Sequence, residues 1–184
     1  MAPWNPGPDP FPAGAVDSIT DFEYLDELKL VRHAQVHVKK PPESLWQLSA
    51  DFRARMTVHP KDGAAYPLTL KAPRGLYTDL ASVPEHLWSI VGPIGPHLEA
   101  SIIHDYLYMA WTDFREKALS RDWKFANDVF LAGMTVSKVK KRDLIHAAVS
   151  LPVGWRVFRK KSYTLKERME DWLPQLAAGH GRNG

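Results

Sequence analysis

A histidine and an aspartate stand side by side at His104-Asp105, inside a run of apolar residues, and three more charged residues fall at spacings that could bring them to the same place. An ionised carboxylate in such a run is costly unless it is paired, hydrogen-bonded or bound to a cation. Arg121 and Asp128 are seven residues apart, which puts them on one helical face two turns distant, and Asp79 sits in a turn just before Ser82. If two helices pack antiparallel with that turn at one end, Asp79, His104, Asp105 and Asp128 converge as one imidazole and three carboxylates. Such an oxygen-rich set suits a divalent ion, manganese, magnesium or iron ahead of zinc, and the ion would lower the pKa of a bound water for attack. The reaction would be hydrolysis, with Arg121 stabilising developing negative charge. An architectural reading accounts for the same residues: Arg121 holds Asp79 or Asp128 through paired hydrogen bonds, His104 bonds a carboxylate, and Ser82 caps a helix. The two readings share one requirement, that these groups meet away from water.

The elements that would position them divide by period. From Trp46 to Val58 every second residue is apolar (Trp46, Leu48, Ala50, Phe52, Ala54, Met56, Val58), which a half-buried strand explains and a helix cannot. His59-Pro60-Lys61-Asp62-Gly63 supplies turn chemistry, and Tyr66, Leu68 and Leu70 alternate again, so a hairpin with a long loop is expected. Leu28 to Val38 alternates in the same way, whereas the acidic, mixed segment Ile19 to Leu30 has no firm assignment. Ala72-Pro73-Arg74-Gly75 reads as a type I turn, and Ser82-Val83-Pro84-Glu85 as a capping box opening a short helix that stops by Gly92. Beyond Pro96 the period becomes helical: Ile102, Ile103, Tyr106, Leu107, Ala110 and Trp111 form one wide face, Phe125, Val129 and Ala132 a second, and Leu144, Ile145, Ala148 and Val149 a third. A further amphipathic helix is expected over Leu165 to Leu176. Strands first and helices afterwards predict an α+β fold, a small antiparallel β-sheet in the N-terminal half followed by a layer of three to four α-helices.

The run Gly75-Leu76-Tyr77-Thr78-Asp79-Leu80-Ala81-Ser82-Val83-Pro84, then His104-Asp105-Tyr106-Leu107-Tyr108, then Arg121 and Asp128, resembles the phage- and prophage-associated "domain of unknown function 1353" family over about residues 45–150. That family's pattern is a strand pair, a glycine turn, Thr-Asp-Leu-Ala-Ser-x-Pro, His-Asp-x-Leu-Tyr and a later helix with spaced Arg and Asp. Leu76-Tyr77 departs from it, since an aromatic more often follows the glycine directly, and both terminal extensions lie outside it. The resemblance implies phage ancestry and carries no settled activity. The His-Asp pair is also loosely similar to that of helical metal-dependent phosphohydrolases, without their additional upstream histidine. Two functions are therefore expected as alternatives: a metal-dependent hydrolase, or a non-enzymatic virion component such as a tail or connector protein.

The 184 residues suit one domain, and 45% hydrophobic with 24% charged residues fits a folded globular chain. With no cysteine, disulfides, thiol nucleophiles, iron–sulfur clusters and Cys-ligated zinc are excluded. Residues 1–18 read as a Pro-rich extended arm, 19–162 as a single α+β domain, and 163–184 as a C-terminal helix and flexible tail. Five prolines in the first twelve residues favour extended backbone, and Trp4 and Phe11 between them could anchor a partner subunit. The net charge of +3 is mild, but ten basic residues crowd Lys138 to Arg168 against only Asp143 and Glu167, leaving the rest of the chain acidic. Arg156, Arg159, Lys160 and Lys161, with Trp155, Phe158 and Tyr163 interleaved, could form a partner-binding surface for an acidic subunit or, by stacking, for nucleic acid. The start of the chain lacks a signal-peptide pattern and no stretch approaches a membrane span, so synthesis in a host cytoplasm, with a place in a virion, is the expected location.

Overall fold

The computed structural model describes residues 5–33, 45–78, 95–160 and 164–169. Six strands and four helices follow in order: β1 (Val16–Tyr24), β2 (Leu30–His33), β3 (Leu45–Leu48), β4 (Phe52–Pro60), β5 (Tyr66–Ala72), β6 (Tyr77–Thr78), α1 (Leu98–Phe114), α2 (Ser120–Val136), α3 (Arg142–Val149) and α4 (Pro152–Arg159). The fold is α+β, with antiparallel sheets in the N-terminal half and the helices after them.

Instead of one sheet there are two of three strands, ordered β1-β4-β5 and β2-β3-β6. The uninterrupted strand expected from Trp46 to Val58 is broken at Ser49–Asp51, and its halves belong to different sheets. Polar side chains explain the break. Ser49 donates to the Lys29 carbonyl through both its amide and its hydroxyl, and Asp51 accepts the Arg74 amide at 2.8 Å while pairing with Lys71 at 3.3 Å. The alternation survives the break because Leu48 and Phe52 are both buried. In β4, Phe52, Ala54, Met56 and Val58 all point into the core and Arg53 and Arg55 point out.

Gly75 has φ of 84° at the third position of a turn closed by the Leu76 amide on the Pro73 carbonyl, the signature of a type II turn rather than type I. β1 occupies the stretch that periodicity left unassigned. Its register on β4 shifts between Val16 and Ser18 and again between Thr20 and Glu23, where Asp21 adopts φ of 51°, so bulges scramble the alternation.

The first predicted helical face is buried throughout; in the second Phe125 and Val129 are buried and Ala132 half-buried, and in the third Ile145 and Val149 are buried while Leu144 is exposed, which corrects its place on that face. α2 packs on α1 and on β1, and Gly133 permits the approach: a Cβ there would lie 2.5 Å from the Tyr24 hydroxyl and 3.0 Å from the Ala100 Cβ. α4 was not anticipated from periodicity. It is fastened by Phe158, which is buried, stacks on Trp111 and accepts the Trp111 indole N–H at its carbonyl at 3.0 Å. Of the helix expected over Leu165–Leu176, residues 170–176 lie outside the described residues; the described part is one 3-10 turn, Lys166–Arg168, that ends at an extended Met169 bridging to Leu76. The capping-box helix, with Ser82, lies outside the described residues.

Residues 10–12 are buried against the core rather than forming a free arm. Phe11 is 6% exposed, meets Phe125 edge-on with centroids 6.3 Å apart, and lies beneath the Arg115 guanidinium. The expectation that Phe11 anchors a partner subunit is therefore corrected. Arg115 Nη1 also reaches Asp9 at 2.6 Å and its Nε reaches the fully buried Asp122 at 2.9 Å, clasping the segment to the helices. Trp4 lies outside the described residues.

Candidate functional site

Thr78, the last residue of β6, is buried, and its hydroxyl donates to the Asp105 carboxylate on α1. This contact joins the Thr-Asp and His-Asp blocks of the sequence. Asp105 is half-buried there, so its charge is held by a hydroxyl and is not wholly removed from water.

His104 faces elsewhere, because successive helical residues diverge by about 100°. Its ring lies between Phe130 and Tyr108, with centroids 4.5 and 4.1 Å away, and Nε2 is 3.0 Å from Asn127 Oδ1 on α2. The same Asn127 oxygen accepts the Tyr108 hydroxyl at 3.0 Å, and Tyr108 in turn accepts the Trp123 indole N–H at 3.0 Å. The Asn127 amide nitrogen points at the Val149 carbonyl and the Ser150 hydroxyl, 3.5 and 3.4 Å away. One buried chain of hydrogen bonds thus ties α1, α2 and the end of α3. Burial pushes the His104 imidazole down to about 4, and its Nδ1 is buried without a hydrogen-bond partner.

The other expected members go to separate places. Asp128 is half-buried beside Lys124 at 3.2 Å and His146 at 3.6 Å. Arg121 is 43% exposed and lies 3.7 Å from Asp122 instead of pairing with Asp128; the buried carboxylate it approaches is held more closely by Arg115. Burial pushes the Asp122 carboxyl up, against the pull of Arg115. Asp79 follows Thr78 in the chain and lies outside the described residues. Among the described residues no group of three or more His, Asp or Glu is placed to hold a metal ion, so the convergence expected of His104, Asp105 and Asp128 is corrected.

On α4, Arg156, Arg159 and Lys160 are exposed, as a partner-binding surface requires; Lys161 lies outside the described residues. Of the aromatic residues among them, Trp155 and Phe158 are turned to internal contacts, and Tyr163 lies outside the described residues. Phe158 is buried, and half-buried Trp155 packs against Phe158 and Trp123.

Sequence reasoning missed Asn127, Arg115 and Asp122. A signal existed for two of them: Asn127 and Asp122 are polar residues on the apolar face that α2 builds from Phe125, Ala126, Val129 and Phe130.

These features define a class: an α+β protein whose helices are locked by buried polar contacts, with two motif blocks meeting at Thr78 and Asp105. Residues 46–149 match the family described as "Protein of unknown function (DUF1353)", more than half the chain, and the protein belongs to that family. It is also 40% identical over 67 residues to the "Uncharacterized protein y4jT" of Sinorhizobium fredii (strain NBRC 101917 / NGR234), a stretch covering 35% of this chain and 18% of that relative. No solved structure matches it. No helix among the described residues is long and apolar enough to cross a membrane.

Proposed function

We propose that this protein is a non-enzymatic component of a phage-type assembly, a tail or connector protein, made in the host cytoplasm and carried in the virion. The observation that supports this reading is the enclosure of His104. Its Nε2 proton is committed to Asn127, its ring is packed between two aromatic side chains, and it faces away from the Thr78–Asp105 contact. An imidazole so placed locks α1 to α2 and is poorly disposed to share an ion with Asp105. Quantitative mass spectrometry of purified particles tests the reading. A fixed, repeated number of copies per particle is expected; absence from particles overturns it.

The Thr78–Asp105 contact favours a second reading, a metal-dependent hydrolase, because it sets the Asp105 carboxylate beside the chain position that precedes Asp79. A manganese, magnesium, iron or zinc ion would there rest on Asp79 and Asp105, without the His104 and Asp128 ligands first expected, and would supply an activated water. Elemental analysis of the purified protein decides between the two. Stoichiometric metal that disappears in Asp105→Asn and persists in His104→Gln favours the hydrolase; metal-free wild-type protein with normal folding removes it.

A further inference from the structure

Between β1 and α2 runs an open groove of about 590 Å³, lined by Asp17, Asp21 and Phe22 from the strand and by Lys124, Asp128, Leu131 and Val136 from the helix. Lys124 balances Asp128. Asp17 and Asp21 are exposed, and neither is ion-paired to a lysine or arginine among the described residues. Hydrogen bonds from Thr20 and Thr57 hold the Asp21 carboxyl below its usual range, so it stays charged. Val136 is left 45% exposed at the edge of this acidic, partly apolar trough.

The complementary shape stands on the same chain. α4 exposes Val153 and Val157, one turn apart on one face, at 56% and 54%, with Leu151 at 51% just before it. Arg156 and, just past the helix end, Lys160 lie beside that stripe, with Arg159 further round the helix; all three are exposed and form no ion pair with a carboxylate among the described residues. Eight helical residues span about 12 Å. Apolar stripe would meet apolar lining, and cationic side chains would meet the unbalanced carboxylates, a match that steers encounter and fixes register.

We propose that α4 of one copy docks into the β1–α2 groove of a second copy. This rests on the assembly reading above and names its partner as the chain itself. Helix and groove are different surfaces, so the contact is heterologous: each copy offers one free helix and one free groove, and association runs on into a ring or a filament.

Sedimentation velocity of the full chain tests this. Wild-type protein at low ionic strength is expected to form species larger than a dimer that fall apart as salt rises. Arg156→Glu with Arg159→Glu removes the helix side, and Asp17→Lys with Asp21→Asn removes the groove side; Asn tolerates the positive φ at position 21. Each variant alone is expected to be monomeric with wild-type circular dichroism. An equimolar mixture of the two is expected to form a dimer and nothing larger, because one intact helix and one intact groove remain. A wild-type monomer at low salt, a helix variant that still assembles, or a mixture that stays monomeric overturns the proposal. So does binding of α4 to DNA or anionic vesicles without self-association. If the chain is found in particles yet never self-associates, the assembly reading survives and this contact does not; if it self-associates but is absent from particles, the reverse holds.

Discussion

Because the Asn127 oxygen accepts from both Tyr108 and His104, the imidazole must carry its proton on Nε2, leaving Nδ1 as a bare buried lone pair. Protonating Nδ1 would place an unpaired cation among Phe130 and Tyr108, which is why burial holds the group near 4. In the unfolded chain the ring titrates near its usual 6.5. Between those values the unfolded state binds a proton that the folded state refuses, so stability is full above about pH 6.5 and falls as pH drops toward 4. The loss should be about 3 kcal/mol, and buried His97, displaced in the same direction, adds to it. Urea denaturation at pH 7 and near pH 4.5 measures this, and His104→Gln should flatten most of the slope. Asn127→Leu should cost about 2–4 kcal/mol at neutral pH, since it strands two buried donors at once. Of this site, His104 and Asp105 were visible in the sequence as polar residues in an apolar run. Their divergence follows from helical geometry, but the partners they reach, Asn127 and Thr78, were not visible, because they lie 23 and 27 positions away in the chain.

At the scale of elements, the helical faces around Ile103, Val129 and Ile145 were legible because a 3.6-residue period survives wherever one side is buried. β1 was not legible: two register shifts and the left-handed Asp21 destroy the period-2 pattern on which such reading depends. Nor was the change of sheet at Ser49–Asp51, because the alternation of side chains runs through it unbroken. The α3–α4 corner rests on one residue that periodicity does not register. A Cβ on Gly154 would overlap the Val149 carbonyl oxygen, and backbone cannot swing aside as a side chain can. Gly154→Ala is therefore expected to cost about 3 kcal/mol and to disturb the Trp123–Trp155 contact. Thermal melts read the first effect and tryptophan fluorescence the second.

For the molecule as a whole, one core cluster includes Phe11, Val16, the inner face of β4 and the facing residues of α1 and α2, so sheet and helices should unfold in a single cooperative transition. The clasp of Asp9, Arg115 and Asp122 closes that core from outside. Arg115→Met would leave the Asp122 carboxylate buried without its cation, and a loss of about 3–5 kcal/mol is expected. Limited proteolysis should then cut near residues 9–12, while Asp9→Asn alone should leave stability nearly unchanged because Asp9 is largely exposed. Asp9 and its guanidinium partner are 106 positions apart. During translation the Phe11 segment is made before the Arg115 and Phe125 side chains that seat it. Pro8, Pro10 and Pro12 have no amide proton to offer. Such a segment can add few backbone hydrogen bonds to any exposed strand edge it meets.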